Sequence, residues 1–191
     1  MIAATERPVL APTGPAAILV VLLGSALLVT RLAILTLPDD VRTVMLAAVL
    51  GAIAVAGLLV PVPSDRARVR PWGVLGVGML GVGAAAFAAG RPVAFPATVW
   101  AIPLGLLAAV AEEALLRRVL YAHLVPAGAI IAIGVTATLF AVLHVPLYGW
   151  AAFPVDLGAG LVLSWQRYAS GTWLAPAATH AGANLLATVL R

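Results

Sequence analysis

TVWAIPLGLLAAVAEEALLRR, residues 98–118, is an apolar stretch that carries two adjacent carboxylates, Glu112 and Glu113, with Arg117 and Arg118 just behind them. About 20 such residues, wound as a helix, cross the hydrocarbon core of a bilayer. On an insertion scale one central charge costs about 2.5–3.5 kcal/mol, whereas each Leu or Val returns only about 0.3–0.6 kcal/mol. Two bare carboxylates facing lipid would nearly cancel the hydrophobicity of the stretch. They must face a protein interior or a wet cavity, so other helices have to surround them. Part of the compensation is local: Glu113 and Arg117 are spaced i, i+4 with the acid first, the favourable order on a helix. Glu112 projects about 100° away from Glu113, and the residue four beyond it is Leu116. A plainer reading has both acids flanking a helix end, with the two arginines at an interface. It fits Glu113 with Arg117 well and Glu112 poorly.

The remainder of the chain is built for the same medium. Of 191 residues, 63% are hydrophobic and 9% charged, against about 25% charged in a soluble domain. The mean hydropathy is +1.12. A soluble globular protein is excluded. Apolar segments at about 16–37, 43–60, 72–90, 97–118, 127–145, 150–166 and 172–190 predict an all-α polytopic transmembrane bundle of about seven spans. The sixth is the weakest, because Pro154 and Asp156 fall inside it. A proline in the first turn followed by an acid is how a helix begins, so Asp156 is read as a helix-start residue. The longest polar link, Pro61 to Pro71, does not resemble an interdomain linker, and residues 1–191 are read as one membrane domain. The first apolar run follows Glu6 and Arg7 without a clear cleavage site and is read as a retained helix. Ala48, Ala52 and Ala56 form a small-residue stripe suited to close packing, while the glycines at 73, 76, 78, 81 and 83 lack the GxxxG spacing.

The formal charge of +4 does not indicate nucleic acid, because all eleven basic residues are arginines scattered over inter-helix loops. They read as topology markers. With seven spans, Arg7, Arg66, Arg68, Arg70, Arg117, Arg118 and Arg167 fall on one side. Arg42, Arg91 and Arg191 fall on the other, joined by Arg31 if it snorkels that way. The bias puts the N-terminus in the cytoplasm and the C-terminus outside. Arginine-only usage with abundant Ala, Gly and Val fits a GC-rich bacterial genome, so the expected location is a bacterial plasma membrane. The absence of cysteine excludes a disulfide framework, a thiolate metal site and a Cys nucleophile. Serines 25, 64, 164 and 170 lie in no motif with a base. The Trp and Tyr residues at 72, 100, 121, 148, 150, 168 and 173 fit an aromatic belt at span ends. His123 reads as a solvated loop residue.

Two later segments also carry polar side chains. The fifth span ends in FAVLH, residues 140–144, with Phe140 and His144 on one face, and Pro146 is expected to stop the helix. The seventh holds HAGAN, residues 180–184, with His180 and Asn184 again i, i+4 and two to three turns inside. Either alone would serve as interhelical glue. The pair on one face points to a shared polar cavity.

EEALLR (112–117), FAVLH (140–144) and HAGAN (180–184), on successive late spans, resemble the EExxxR, FxxxH and HxxxN motifs of the CPBP intramembrane proteases. That family includes the type II CAAX prenyl endopeptidases and bacteriocin-processing or immunity relatives. Gly158, Gly160 and the approach SGTWLAPAATH resemble it too, and the likeness covers about 98–190, the expected protease core. Leu116 and Arg118 depart from it, standing where relatives often have Phe and Gly. The resemblance implies an intramembrane endopeptidase in which Glu112 and His144 activate a water and His180 and Asn184 stabilise the oxyanion. Glu113, Arg117 and Phe140 would support them. The expected partners are a protein or peptide substrate in the membrane and the lipid bilayer, with oligomeric state left open.

No cofactor is expected. Glu112, His144 and His180 are by type an acceptable zinc set, but no HExxH helix presets two ligands, so the metal-free scheme is preferred. Counting helical rise from the expected starts puts His144 about 27 Å and His180 about 12 Å from the cytoplasmic ends, so the fifth helix must start later, tilt or break. Two other classes fit part of the pattern: a non-catalytic immunity or scaffold protein of the same fold, and an ion-coupled transporter whose Glu and His line a path.

Overall fold

A computed structural model describes residues 15–63, 65–89 and 99–189. The chain is all-α, with no strand among the described residues. Its helices are α1 (Pro15–Ile34), α2 (Asp39–Leu59), α3 (Pro71–Ala89), α4 (Ala101–Glu113), α5 (Tyr121–Leu124), α6 (Ala129–Tyr148), α7 (Phe153–Ser170) and α8 (Leu174–Val189). Two of them, α2 and α6, are long and apolar enough to cross a membrane. The other long helices coincide with the remaining segments marked out by hydropathy. Glu6, Arg7, Ser64, Arg91, Arg191 and the expected start of the fourth span lie outside the described residues, as does the side chain of Arg31.

α4 is packed between α2 and α8, and α7 between α3 and α6. The inward face of α2 is Leu46, Leu50, Ile53, Ala54 and Gly57, with Leu50 and Ile53 meeting Leu28 of α1 and Ala108, Ala111 and Leu115 beyond them. The stripe of Ala48, Ala52 and Ala56 is not that face. Ala48 and Ala52 are exposed, because the bulkier residues one turn over supply the apolar contact. α6 and α7 approach closely at Gly160, where a Cβ would lie 2.8 Å from the carbonyl oxygen of Ala137.

Two local features depart from the sequence expectation. The fourth segment does not remain α-helical: immediately after Glu113 the chain widens into a π-helical segment, Ala114–Leu120, and then continues as α5. Such segments are rare and concentrate at functional sites. The fifth segment does not stop at Pro146, which lies inside the last turn of α6. A proline there forfeits one backbone bond at a helix end already short of donors. The stop is Gly149, whose φ of 78° suits glycine. α7 begins as read, with Phe153, Pro154 and then Asp156 in its first turn.

The link after α2 is docked rather than loose. The backbone N–H groups of Arg68 and Val69 both donate to the carbonyl of Ala169, at 2.9 and 3.0 Å. The link thereby satisfies a carbonyl that the end of α7 would leave open.

Candidate active site

Glu112 and Glu113 end α4, and their 100° separation sends them to different neighbours. Glu113 turns inward and is fully buried. Its Oε1 accepts from Arg117 Nη1 at 2.8 Å and from His180 Nδ1 at 3.1 Å. The π-helical turn still leaves Arg117 within reach, and its Nη2 donates to the carbonyl of Gly160 at 3.2 Å. Arg117 is therefore not an interfacial marker. It is wholly buried and charge-balanced, as a desolvated guanidinium must be.

Glu112 addresses α6 instead. Its Oε2 lies 3.8 Å from His144 Nε2, with both residues buried. The His144 Nδ1 is 2.8 Å from the carbonyl of Phe140. A carbonyl only accepts, so Nδ1 is the donor of that bond, and Nε2 is the ring nitrogen on the Glu112 side. A water bonded to both groups at about 2.8 Å would sit at the apex of a triangle on that 3.8 Å base.

Phe140 joins the two halves. Its ring lies 4.3 Å from the His144 ring and 5.3 Å, edge-on, from His180. The Arg117 guanidinium stands 4.7 Å over its face. Both imidazoles thus pack on one side chain. α6 begins two residues later than expected, at Ala129. Asn184 is held elsewhere on α4, where its Nδ2 donates to the carbonyl of Gly105 at 2.9 Å. Direct contacts therefore link Glu112, Glu113, Arg117, Phe140, His144 and His180, while Asn184 meets α4 two turns before Glu112.

Several residues sit otherwise than the sequence reading placed them. Tyr148 stacks on His144, 13° from parallel at 5.8 Å; the spacing 140, 144, 148 is the signal that could have found it. Tyr121 is buried rather than in a belt, whereas Trp72, Trp100 and Trp150 are exposed. His123 sits on α5, partly buried, not in a solvated loop. Arg118 turns away from the site and donates to the carbonyls of Gly57 and Val60, the latter at 2.7 Å, closing the C-terminal end of α2. Ser164 is buried against Thr136 Oγ1 at 2.9 Å. Among the described residues no three His, Asp or Glu side chains form a group that could hold a metal ion. Of the candidate set, His180 turns its Nδ1 to Glu113.

Residues 94–186 match the family model described as type II CAAX prenyl endopeptidase Rce1-like, just under half of the chain. The match takes in all three motifs and supports the family resemblance read from them. No curated protein and no solved structure matches the chain.

Proposed function

We propose that this chain is a CPBP-type intramembrane endopeptidase, a glutamic peptidase that hydrolyses a peptide bond in a membrane-associated protein or peptide. The observation that carries the reading is the buried pair of Glu112 Oε2 and His144 Nε2, 3.8 Å apart, with the Glu113–His180 pair beside it. Glu112 takes a proton from a water held between it and His144. The water oxygen attacks the scissile carbonyl carbon, and the proton passes to the departing amine as the C–N bond breaks. Both carboxylate and imidazole are needed in a low-dielectric site, where a proton acceptor is not masked by bulk water.

The tetrahedral oxyanion needs donors. His180 has Nδ1 turned to Glu113, so Nε2 is the ring nitrogen left to face the substrate. Asn184 is fixed by one amide hydrogen to Gly105 and offers the second. Preorganised donors of this kind are a large part of acyl-transfer catalysis. Glu113, Arg117 and Phe140 hold the two histidines in place. No metal or other cofactor enters this scheme.

In this reading the seven helical segments all cross the membrane, with the N-terminus cytoplasmic and the C-terminus outside, in a bacterial plasma membrane. The family's printed name points to CAAX-type substrates, and whether a prenylated C-terminus is among them is decided by the substrate that the test identifies. The test is comparison of membrane-protein termini in cells carrying wild-type or Glu112→Gln protein. New termini that depend on Glu112 establish the activity and name the substrate. Identical termini would favour an immunity or scaffold role, and ion flux in liposomes a transporter.

A further inference from the structure

Arg167 stands in the last turn of α7, where the sequence reads it as a cytoplasmic topology marker that would reach for water. The fold does the opposite with it. It is only 3% exposed, its guanidinium lies 5.0 Å over the Tyr121 ring, and its Nε donates to the backbone carbonyl of Arg117 at 3.0 Å. Its Nη2 meets Asp65 Oδ2 at 2.8 Å. Burying an arginine is costly unless its charge is matched and its donors are used. Asp65 supplies the charge at Nη2, and the Arg117 carbonyl, at the centre of the π-helical segment, takes up Nε–H, while the buried Nη1 has no hydrogen-bond partner.

Asp65 is itself held. Arg68 Nη1 donates to the carbonyl of Tyr168 at 2.8 Å and its guanidinium lies 4.1 Å over the Tyr168 ring. The link also passes directly over Gly171, where a Cβ would come within 2.7–2.8 Å of the backbone of Asp65, Arg66 and Ala67. Gly171 has φ 69°, so glycine is needed there for conformation and for clearance. A continuous set of contacts then runs from the link to the site: Asp65 to Arg167, Arg167 to the Arg117 carbonyl, Arg117 to Glu113, and Glu113 to His180.

We propose that Arg167, oriented by Asp65, is a positioning residue that clamps the π-helical segment Ala114–Leu120 so that Arg117 stays in register with Glu113 and His180. The assignment rests on the peptidase reading for its catalytic consequence and not for the clamp itself. Arg167 touches neither substrate nor the reacting atoms. A π-helical turn has less favourable backbone geometry than the α-helix that could replace it, so an external bond to its middle carbonyl holds it in place. Lysine at 167 would keep the charge but lose the planar fork that serves both a carboxylate and a carbonyl.

The test uses full-length protein in lipid nanodiscs, with Arg167→Lys and the milder Asp65→Asn. Hydrogen exchange over residues 114–120 should rise at least tenfold in Arg167→Lys and several-fold in Asp65→Asn, with exchange in α2 unchanged. Where a cleavable substrate is in hand, kcat should fall about ten- to a hundredfold with KM within twofold, and Arg167→Lys with Asp65→Asn together should be no worse than Arg167→Lys alone. Wild-type protection of 114–120 in both variants overturns the clamp, as does a loss expressed wholly in KM. If Glu112→Gln leaves cleavage intact, the peptidase reading fails while the exchange measurement still decides the clamp.

Discussion

His180 and Glu113, 67 residues apart in the chain, share a hydrogen bond of 3.1 Å between Nδ1 and Oε1. The same oxygen accepts from Arg117. One carboxylate thus fixes the register of α8 against α4, neutralises a buried guanidinium and selects which imidazole nitrogen faces away from it. Its neighbour Glu112 faces His144. Two adjacent acids with different surroundings can carry different roles, one structural and one chemical.

The first prediction separates them. Glu112→Gln should abolish cleavage while yield and melting temperature in detergent stay near wild type. Glu113→Gln removes the charge from a carboxylate with two buried partners and should cost about 3–5 kcal/mol of stability. Arg117→Ala should do likewise, leaving Glu113 unpaired. Thermal melts of purified protein alongside a cleavage assay check both halves, and near-normal turnover in Glu112→Gln would end the general-base assignment.

Phe140 carries the second. Its ring is the common surface for His144, His180 and Arg117. Phe140→Ala should cost about 3–5 kcal/mol, the usual penalty for deleting a buried aromatic. Phe140→Leu preserves most of the volume and should cost about 1–2 kcal/mol, yet still lower kcat about tenfold because the imidazoles lose their flat support. A kcat equal to wild type in a stably folded Phe140→Leu would show the ring to be packing only.

The third concerns the α6–α7 crossing. Gly160→Ala drives a methyl against the Ala137 backbone, where a Cβ has 2.8 Å of room. It should destabilise by about 1–3 kcal/mol and lower activity too, since the Gly160 carbonyl accepts from Arg117. Gly158 is the control: no atom lies within 4 Å of an added Cβ. Gly158→Ala should be neutral or stabilising by up to about 1 kcal/mol from helix propensity. Equal melting temperatures for the two variants would contradict the packing argument.

In the proposed scheme the Glu112–His144 pair works by proton transfer and no metal takes part. Purified enzyme with a substrate in hand should keep full turnover after prolonged dialysis against a strong chelator and show no stoichiometric zinc by elemental analysis. Activity lost on dialysis and restored by zinc alone would reassign Glu112, His144 and His180 as ligands.

What could be read from sequence depended on the range of the interaction. The helices were legible because apolar runs and Pro/Gly punctuation are local, and the i, i+4 pair Glu113–Arg117 was legible because one turn brings it together. The π-helical segment was not, since ALLRRVL carries no composition that distinguishes π from α. Arg167 misled for a different reason: a basic residue near a span end is normally solvated, and only Asp65, 102 residues earlier by number, makes its burial affordable. The stripe of Ala48, Ala52 and Ala56 misled because small residues permit close packing on whichever face the neighbouring helix happens to choose.

The last prediction is topological and uses the absence of cysteine, which makes single introduced thiols free of background. The turns Val125–Ala127 and Trp150–Ala152 stand at opposite ends of α6, so in the proposed topology they face opposite sides of the membrane. Pro126 and Ala151 are both exposed and away from the buried site. The orientation expected from the sequence, which counted Arg117, Arg118 and Arg167 among its cytoplasmic markers, has the first turn in the cytoplasm. In intact cells a membrane-impermeant maleimide should therefore modify Ala151→Cys and leave Pro126→Cys unmodified until the cells are opened. Labelling of Pro126→Cys alone in intact cells would invert the orientation, and labelling of both would mean that α6 does not cross the membrane at all.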